Sequence, residues 1–192
     1  MIRKFYVLAI GIAVAIAIMA LAFHQSFNSY ISTVKTSISS PNITIGSPAP
    51  NYSFMLVNGS YESLYNFKGH PVLLWFVATW CSGCVQGNEI LNQNYGFFKS
   101  RGIKIIELEL YNDLGYKGPN IGDFASSYAP SAYGSGTIIP AFASYNMSAA
   151  YDPSGYLDIY YLISSNGTVI YENNTLALTL NGLEKEINSS LQ

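Results

Sequence analysis

The chain has two cysteines, Cys81 and Cys84, with only Ser82 and Gly83 between them. Two thiols at that spacing can close a small disulfide loop. An apolar run, Val72–Ala78, ends just before Cys81, and a helix-forming segment starts at Cys84 and continues to about Ser100. Cys81 is therefore expected at the exposed N-terminal end of a helix. Free backbone N–H groups and the helix dipole stabilise a thiolate there, lowering its pKa from about 8.5 into a range of roughly 3.5–7.5. Cys84, one turn in and more buried, would attack Cys81 to resolve a mixed disulfide. Other uses of the pair fit less well. A zinc site takes about four ligands, and only two histidines accompany the cysteines, one of them (His24) beside the N-terminal apolar run. A structural cross-link over so short a loop removes little chain entropy.

The surrounding elements must hold this pair in place. Val72–Ala78 is apolar at every position, as a central strand covered on both faces would be. The segment from Cys84 has Val85, Ile90, Leu91, Tyr95 and Phe98 for a buried side, with Gly102 beyond its end. A strand is predicted over Tyr52–Val57, turned by Asn58-Gly59, and an alternating strand over Ile103–Leu110. Asn120 caps a helix to about Tyr128, stopped by Pro130. Ser131–Gly155 reads as irregular, with a short strand near Ala141–Tyr145. Ile159–Ile163 and Thr168–Tyr171 pair as a hairpin around Ser165-Asn166-Gly167. Leu180–Leu191 closes the chain as an amphipathic helix. The order predicts an α/β fold with a mixed central sheet flanked by helices.

Upstream, Phe5 to Phe23 is 19 residues with no charge. As a helix it would span roughly 28 Å, close to the hydrocarbon core of a bilayer. Arg3 and Lys4 precede it, which places the N-terminus in the cytoplasm and the rest outside. Cleavage of the segment as a signal peptide would still leave the chain extracytoplasmic. The expected organisation is a stub and transmembrane anchor over 1–23, a tether over 24–44, and one domain over 45–192.

The 192 residues are 49% hydrophobic and only 10% charged, which excludes a disordered chain. Nine Lys+Arg against eleven Asp+Glu leave no basic excess for nucleic acid. The few charges are offset by Ser, Asn and 16 tyrosines. Seven Asn-x-Ser/Thr sequons, at Asn42, Asn51, Asn58, Asn146, Asn166, Asn173 and Asn188, all follow the apolar segment. They are glycosylation candidates, and glycans would supply the solubility that charge does not.

Three stretches carry a family likeness: Gly46-Ser47-Pro48-Ala49-Pro50, Tyr52-Ser53-Phe54-Met55-Leu56, and Lys68 through Trp80-Cys81. Together they resemble the opening of TlpA/ResA-type membrane-anchored thioredoxins. Peroxiredoxins share the first part but lack Trp-Cys-x-x-Cys at this place. The likeness extends through Tyr151-Asp152 and Tyr161–Val169. It implies a thioredoxin-like fold and an extracytoplasmic thiol–disulfide oxidoreductase whose only redox group is the Cys81–Cys84 disulfide, with no metal. Its partners would be cysteines of exported proteins and a membrane electron-transfer partner. The direction of electron flow stays open. A copper-chaperone-like protein of the same fold and a non-catalytic binding module, using Tyr111, Tyr116, Tyr128 and Tyr133, are the alternatives. The copper group, however, spaces its cysteines by three and adds a later histidine.

Several positions depart from the family pattern. The proline that packs against the cysteines is missing, and its slot falls at Leu157 or Asp158. We expect a trans bond or a reshaped loop there, with Asp158 near Cys81 raising the thiol pKa; a solvated loop residue is the alternative. The strand acid six residues before Cys81 is Trp75, and the helix Glu and Pro after Cys84 are Gly87 and Glu89. Glu89 is the candidate acid/base, or else a solvated helix charge. Glu107 and Glu109 share a strand face expected to be exposed, the alternative being that one of them approaches the site. Trp80, Ser82, Gly83, Leu157 and Asp158 form the expected substrate surface.

Overall fold

The computed structural model describes residues 17–29 and 43–191. Contacts divide the chain into two units, Met1–Ser40 and Pro41–Gln192. In the first, a helix, α1, covers residues 17–29 with every residue exposed. It runs past His24 into the expected tether. Among the described residues no helix is long and apolar enough to cross a membrane. Most of the Phe5–Phe23 run, the rest of the tether and Asn42 lie outside the described residues.

The second unit is built on seven strands: β1 (Ser53–Leu56), β2 (Tyr61–Ser63), β3 (Val72–Val77), β4 (Lys104–Glu109), β5 (Ile138–Ala143), β6 (Ile159–Ile163) and β7 (Val169–Asn174). Their order across the sheet is β2-β1-β5-β4-β3-β6-β7. The central β3, β4 and β5 are parallel, whereas β1 and β6 run antiparallel to their neighbours. Helices α2 (Ser82–Ser100), α3 (Ile121–Tyr128), α4 (Pro130–Gly134) and α6 (Leu176–Ser190) contribute to one apolar cluster with Leu73, Trp75 and Val77. The short α5 (Tyr145–Tyr151) supplies Met147, Ala150 and Tyr151 to the cluster on the other face, with Leu74, Phe76 and Ile106. β3 is buried at all six positions because both faces are covered, as its unbroken apolar run required.

The segment expected to be irregular contains α4, β5 and α5. Pro140 is tolerated inside β5 because it pairs only with β4; the ladder to β1 starts at Ala141. The tyrosines are partly core. Tyr151 stacks on Phe76 at 5.3 Å and meets Tyr161 edge-on at 5.2 Å. Their hydroxyls donate to the carbonyls of Pro50 and Tyr151 at 2.7 and 2.6 Å, so burying these rings leaves neither hydroxyl without a partner.

Candidate functional site: a dithiol at a helix N-terminus

β3 delivers the chain to Thr79 and Trp80, and Cys81 then caps α2. The Cys81 Sγ accepts the N–H of Cys84 at 3.3 Å, as a capping oxygen would. Both cysteines are free thiols. Cys81 is 9% exposed and Cys84 is fully buried, so only the first can meet a partner. The Cys84 thiol donates to Cys81 and, with the N–H groups of Cys84 and Gly83, lowers the Cys81 pKa to about 6 against the opposing effect of burial. The same hydrogen bond, together with burial, pushes Cys84 strongly up. The two thiols are thus unlike: Cys81 lies at the rim with a lowered pKa, and Cys84 lies buried beneath it with a raised one.

A second loop clamps the approach to Cys81. Asn112, Asp113 and Leu114 all have left-handed backbone, with φ of 54°, 49° and 57°. That conformation is costly for residues with a Cβ. It turns the buried Asp113 carboxylate back towards β3, where its two oxygens accept the Thr79 N–H and Oγ1–H, each at 2.9 Å. The Asp113 carbonyl accepts the Trp80 Nε1–H at 2.9 Å, and Trp80 packs on Tyr116 at 4.7 Å between centroids. Trp80 remains 39% exposed beside Cys81. Gly118 fits this loop because any Cβ there would lie 2.0 Å from Thr79 Oγ1.

Asp158 is one of the two positions, with Leu157, where the related pattern would place a proline. Among the described residues no peptide bond is cis, and Asp158 itself is left-handed with φ of 65°. It is buried, so the solvated-loop alternative does not hold. Its Oδ1 accepts the Trp75 Nε1–H at 2.7 Å, and its Oδ2 accepts the Leu176 N–H at 3.1 Å at the start of α6. Asp158 therefore caps α6, which Thr175 does not do with its own side chain. Burial raises its pKa to about 6, opposed by those two donors, and the charge on Cys81 adds to the rise. In turn Asp158 raises Cys84. Leu157 is half-buried between the two apolar clusters, Ser82 is exposed and Gly83 is half-buried.

One of the sequence expectations needs correction. Glu107 is fully buried, not exposed. β4 lies between two parallel strands with both faces covered, so its polar–apolar alternation does not mark a solvent face. Its Oε1 accepts the Asn88 Nδ2–H at 2.5 Å, and the same amide reaches the Cys84 carbonyl at 3.4 Å. Glu107 Oε2 and Asn88 Oδ1 have no hydrogen-bond partner. Burial lifts the Glu107 pKa to about 8, against the Asn88 donor. Glu89, the candidate acid/base, is exposed, while its neighbour Asn88 faces inward. The acids brought towards the active-site helix are instead Asp158 and Glu107. Glu109 is half-buried, and its pKa is raised to about 7 by burial and then by Asp113. Asp113, Asn88 and the Trp75–Asp158 bond carried no local sequence signal, because each depends on strand register or loop shape.

Asn51, Asn58, Asn146, Asn166 and Asn188 are exposed, and Asn173 is half-buried with its amide donating to the Tyr171 hydroxyl. Among the described residues no group of three or more His, Cys, Asp or Glu side chains is placed to hold a metal ion.

The AhpC/TSA family model matches residues 45–117, which include both cysteines. A thiol-disulfide oxidoreductase ResA of Bacillus thuringiensis subsp. konkukian is 37% identical over 65 residues, 34% of this chain and 38% of that protein. The match thus spans under two-fifths of that relative's length. Among solved structures, a Chlorobium tepidum protein described as a candidate thiol:disulfide interchange protein DsbE superposes with a TM-score of 0.61 at 22% identity, covering 79% of this chain and all of that one. Copper-bound ScoI of Arabidopsis thaliana superposes with a TM-score of 0.52 at 15% identity, covering 74% of this chain and 99% of that one. The chain has a thioredoxin-like fold, and over about a third of its length it is similar to the thiol-disulfide oxidoreductases named ResA.

Proposed function

We propose that the protein is an extracytoplasmic thiol–disulfide oxidoreductase that exchanges disulfides with cysteines of exported proteins. The observation that carries this reading is the Cys81–Cys84 asymmetry at the start of α2. In the reducing direction, the Cys81 thiolate attacks one sulfur of a substrate disulfide. A Cys81–substrate S–S bond forms, and the other substrate sulfur leaves as a thiolate. Cys84 then loses its proton and attacks Cys81. The Cys81–Cys84 bond forms, the mixed disulfide breaks, and the substrate departs with two electrons gained. The oxidising direction is the same sequence reversed, and the reduction potential decides between them.

The location outside the membrane rests on the uncharged Phe5–Phe23 run behind Arg3 and Lys4. An electron-transfer partner in the membrane would recycle the pair. Five exposed sequons suit glycosylation on that side. Protease accessibility of the domain in intact cells tests the location, and mass spectrometry of the sequon peptides tests the glycans.

The activity is tested by incubating the full chain carrying Cys84→Ser with a disulfide-containing substrate such as insulin. Mixed disulfides trapped on Cys81, with turnover lost, support the reading. A wild-type dithiol that exchanges with no disulfide but binds copper(I) tightly overturns it.

A further inference from the structure

α2 turns a bare strip of backbone towards the buried carboxylate of Asp158. Gly83 precedes Cys84 and Gly87 follows it by three residues. A Cβ on Gly83 would sit 3.7 Å from Cys81 Sγ and 3.8 Å from Asp158 Oδ2. A Cβ on Gly87 would sit 3.7 Å from Asp158 Oδ1 and only 2.6 Å from Trp75 Cζ2. At Gly83 and Gly87, the positions that flank Cys84 on this strip, no side chain therefore stands between α2 and Asp158. Gly87 also makes room for the Trp75 ring, whose Nε1–H holds one carboxylate oxygen, while the α6 N-terminus holds the other. These fixed donors leave the second lone pair of each oxygen free.

We propose that Asp158 is the proton acceptor of this site, taking the Cys84 proton across the glycine strip as Cys84 closes on the Cys81 mixed disulfide. The proposal rests on the oxidoreductase reading above. In the step, the Cys84 S–H bond breaks and its proton passes to a carboxylate oxygen of Asp158, directly or through a water in the strip. The Cys84–Cys81 S–S bond forms as the Cys81–substrate S–S bond breaks, and the substrate sulfur leaves carrying the electron pair.

The other buried acid beneath α2 is poorly suited to the task. Glu107 reaches the backbone carbonyl of Cys84 through Asn88, not the thiol, and its pKa of about 8 keeps it protonated at neutral pH. Asp158, with a pKa of about 6, is ionised at neutral pH and can receive a proton. Among the described residues, the ionisable groups that face Asp158 are Cys81 at the cap of α2, Cys84 within α2 and Tyr160 from β6. β3 and α6 offer it uncharged N–H donors.

The test separates the two chemical steps in one trace. Reduced full-length protein is mixed with Ellman's reagent, whose coloured thiolate is released once when Cys81 attacks and again when Cys84 displaces it. In Asp158→Asn, which keeps the shape and one acceptor oxygen, the first release is expected to be unchanged or faster. The second is expected to slow about a hundredfold at pH 7, the lower end of what positioned proton transfer supplies. The deficit should shrink towards pH 9–10 as hydroxide takes over. A second release as fast as wild type, or equal slowing of both releases at every pH, overturns the proposal. If Asp158→Asn does not fold, Trp75→Phe, which removes one donor from the carboxylate, should move the lower inflection of the second-release pH profile upward; an unmoved inflection overturns it. Absence of any second release in the wild type would instead refute the oxidoreductase reading itself.

Discussion

Replacing Glu107 with glutamine isolates the consequence of burying an acid beside the active-site helix. In the unfolded chain a glutamate titrates near about 4.3, whereas in the folded protein Glu107 titrates at about 8. Between those values the folded state holds a proton that the unfolded state has released. Its contribution to stability is therefore complete below about pH 4.3 and is lost as pH rises towards and through 8, at about 1.4 kcal/mol per pH unit. By pH 7 the penalty is roughly 4 kcal/mol relative to pH 4. Glutamine cannot ionise, yet its carbonyl can still accept the Asn88 amide that Glu107 Oε1 accepts at 2.5 Å. Urea unfolding of wild type and Glu107→Gln from pH 4 to pH 8 should give matching stabilities at the acid end. The variant should gain progressively above it, with m unchanged. A difference between the two proteins that stays flat across this range would refute the reasoning, because it would mean that Glu107 titrates normally when folded.

Three further outcomes are expected. Alkylation of Cys81 by iodoacetamide should fall as pH drops through about 6 in the wild type, and Cys84→Ala, which removes the hydrogen bond from the second thiol, should shift that midpoint upward towards about 8.5. Gly87→Ala should destabilise the protein by about 2 kcal/mol in thermal melts: a gain of about 1 kcal/mol in helix propensity is outweighed by overpacking against Trp75 and weakening of its bond to Asp158. Asp113→Ala should cost about 2–3 kcal/mol, because it leaves the Thr79 N–H and hydroxyl without their acceptors, and it should change Trp80 fluorescence in the folded protein.

Short-range pattern was enough to find the cysteine pair, the buried β3 and the helix that follows, since an unbroken apolar run and a two-residue spacing are local features. It also located the Ile159–Ile163 strand and its hairpin partner. What it could not provide was the neighbour across the sheet. Glu107 looked exposed because it alternates with Ile106 and Leu108, yet β4 is flanked by β3 and β5 and covered on both sides. α6 begins at Leu176, ahead of the expected Leu180, because Asp158, eighteen residues upstream, caps it. Asp158 was legible as a substitution in a slot where a related pattern has proline, but its anchoring by Trp75 joins residues 83 positions apart. The left-handed turn at Asn112–Leu114 holds two turn-favouring residues, Asn112 and Asp113, but their types alone do not say that three successive residues turn left-handed or that Asp113 reaches back to Thr79. α4 and α5 lie in the stretch read as irregular. They are one or two turns long and are set by packing and by caps such as Ser144, whose side chain accepts the Met147 N–H.

The central claim is that Cys81 and Cys84 are a redox pair with Cys81 outermost. It is met most directly by equilibrating the full chain with glutathione buffers of graded potential, quenching with acid and alkylator, and weighing the products. The expected result is a single transition in which both thiols are lost together as an internal Cys81–Cys84 disulfide, with any trapped glutathione found on Cys81. A dithiol that persists through the most oxidising buffer, or glutathione carried on Cys84 while Cys81 stays free, would contradict the claim.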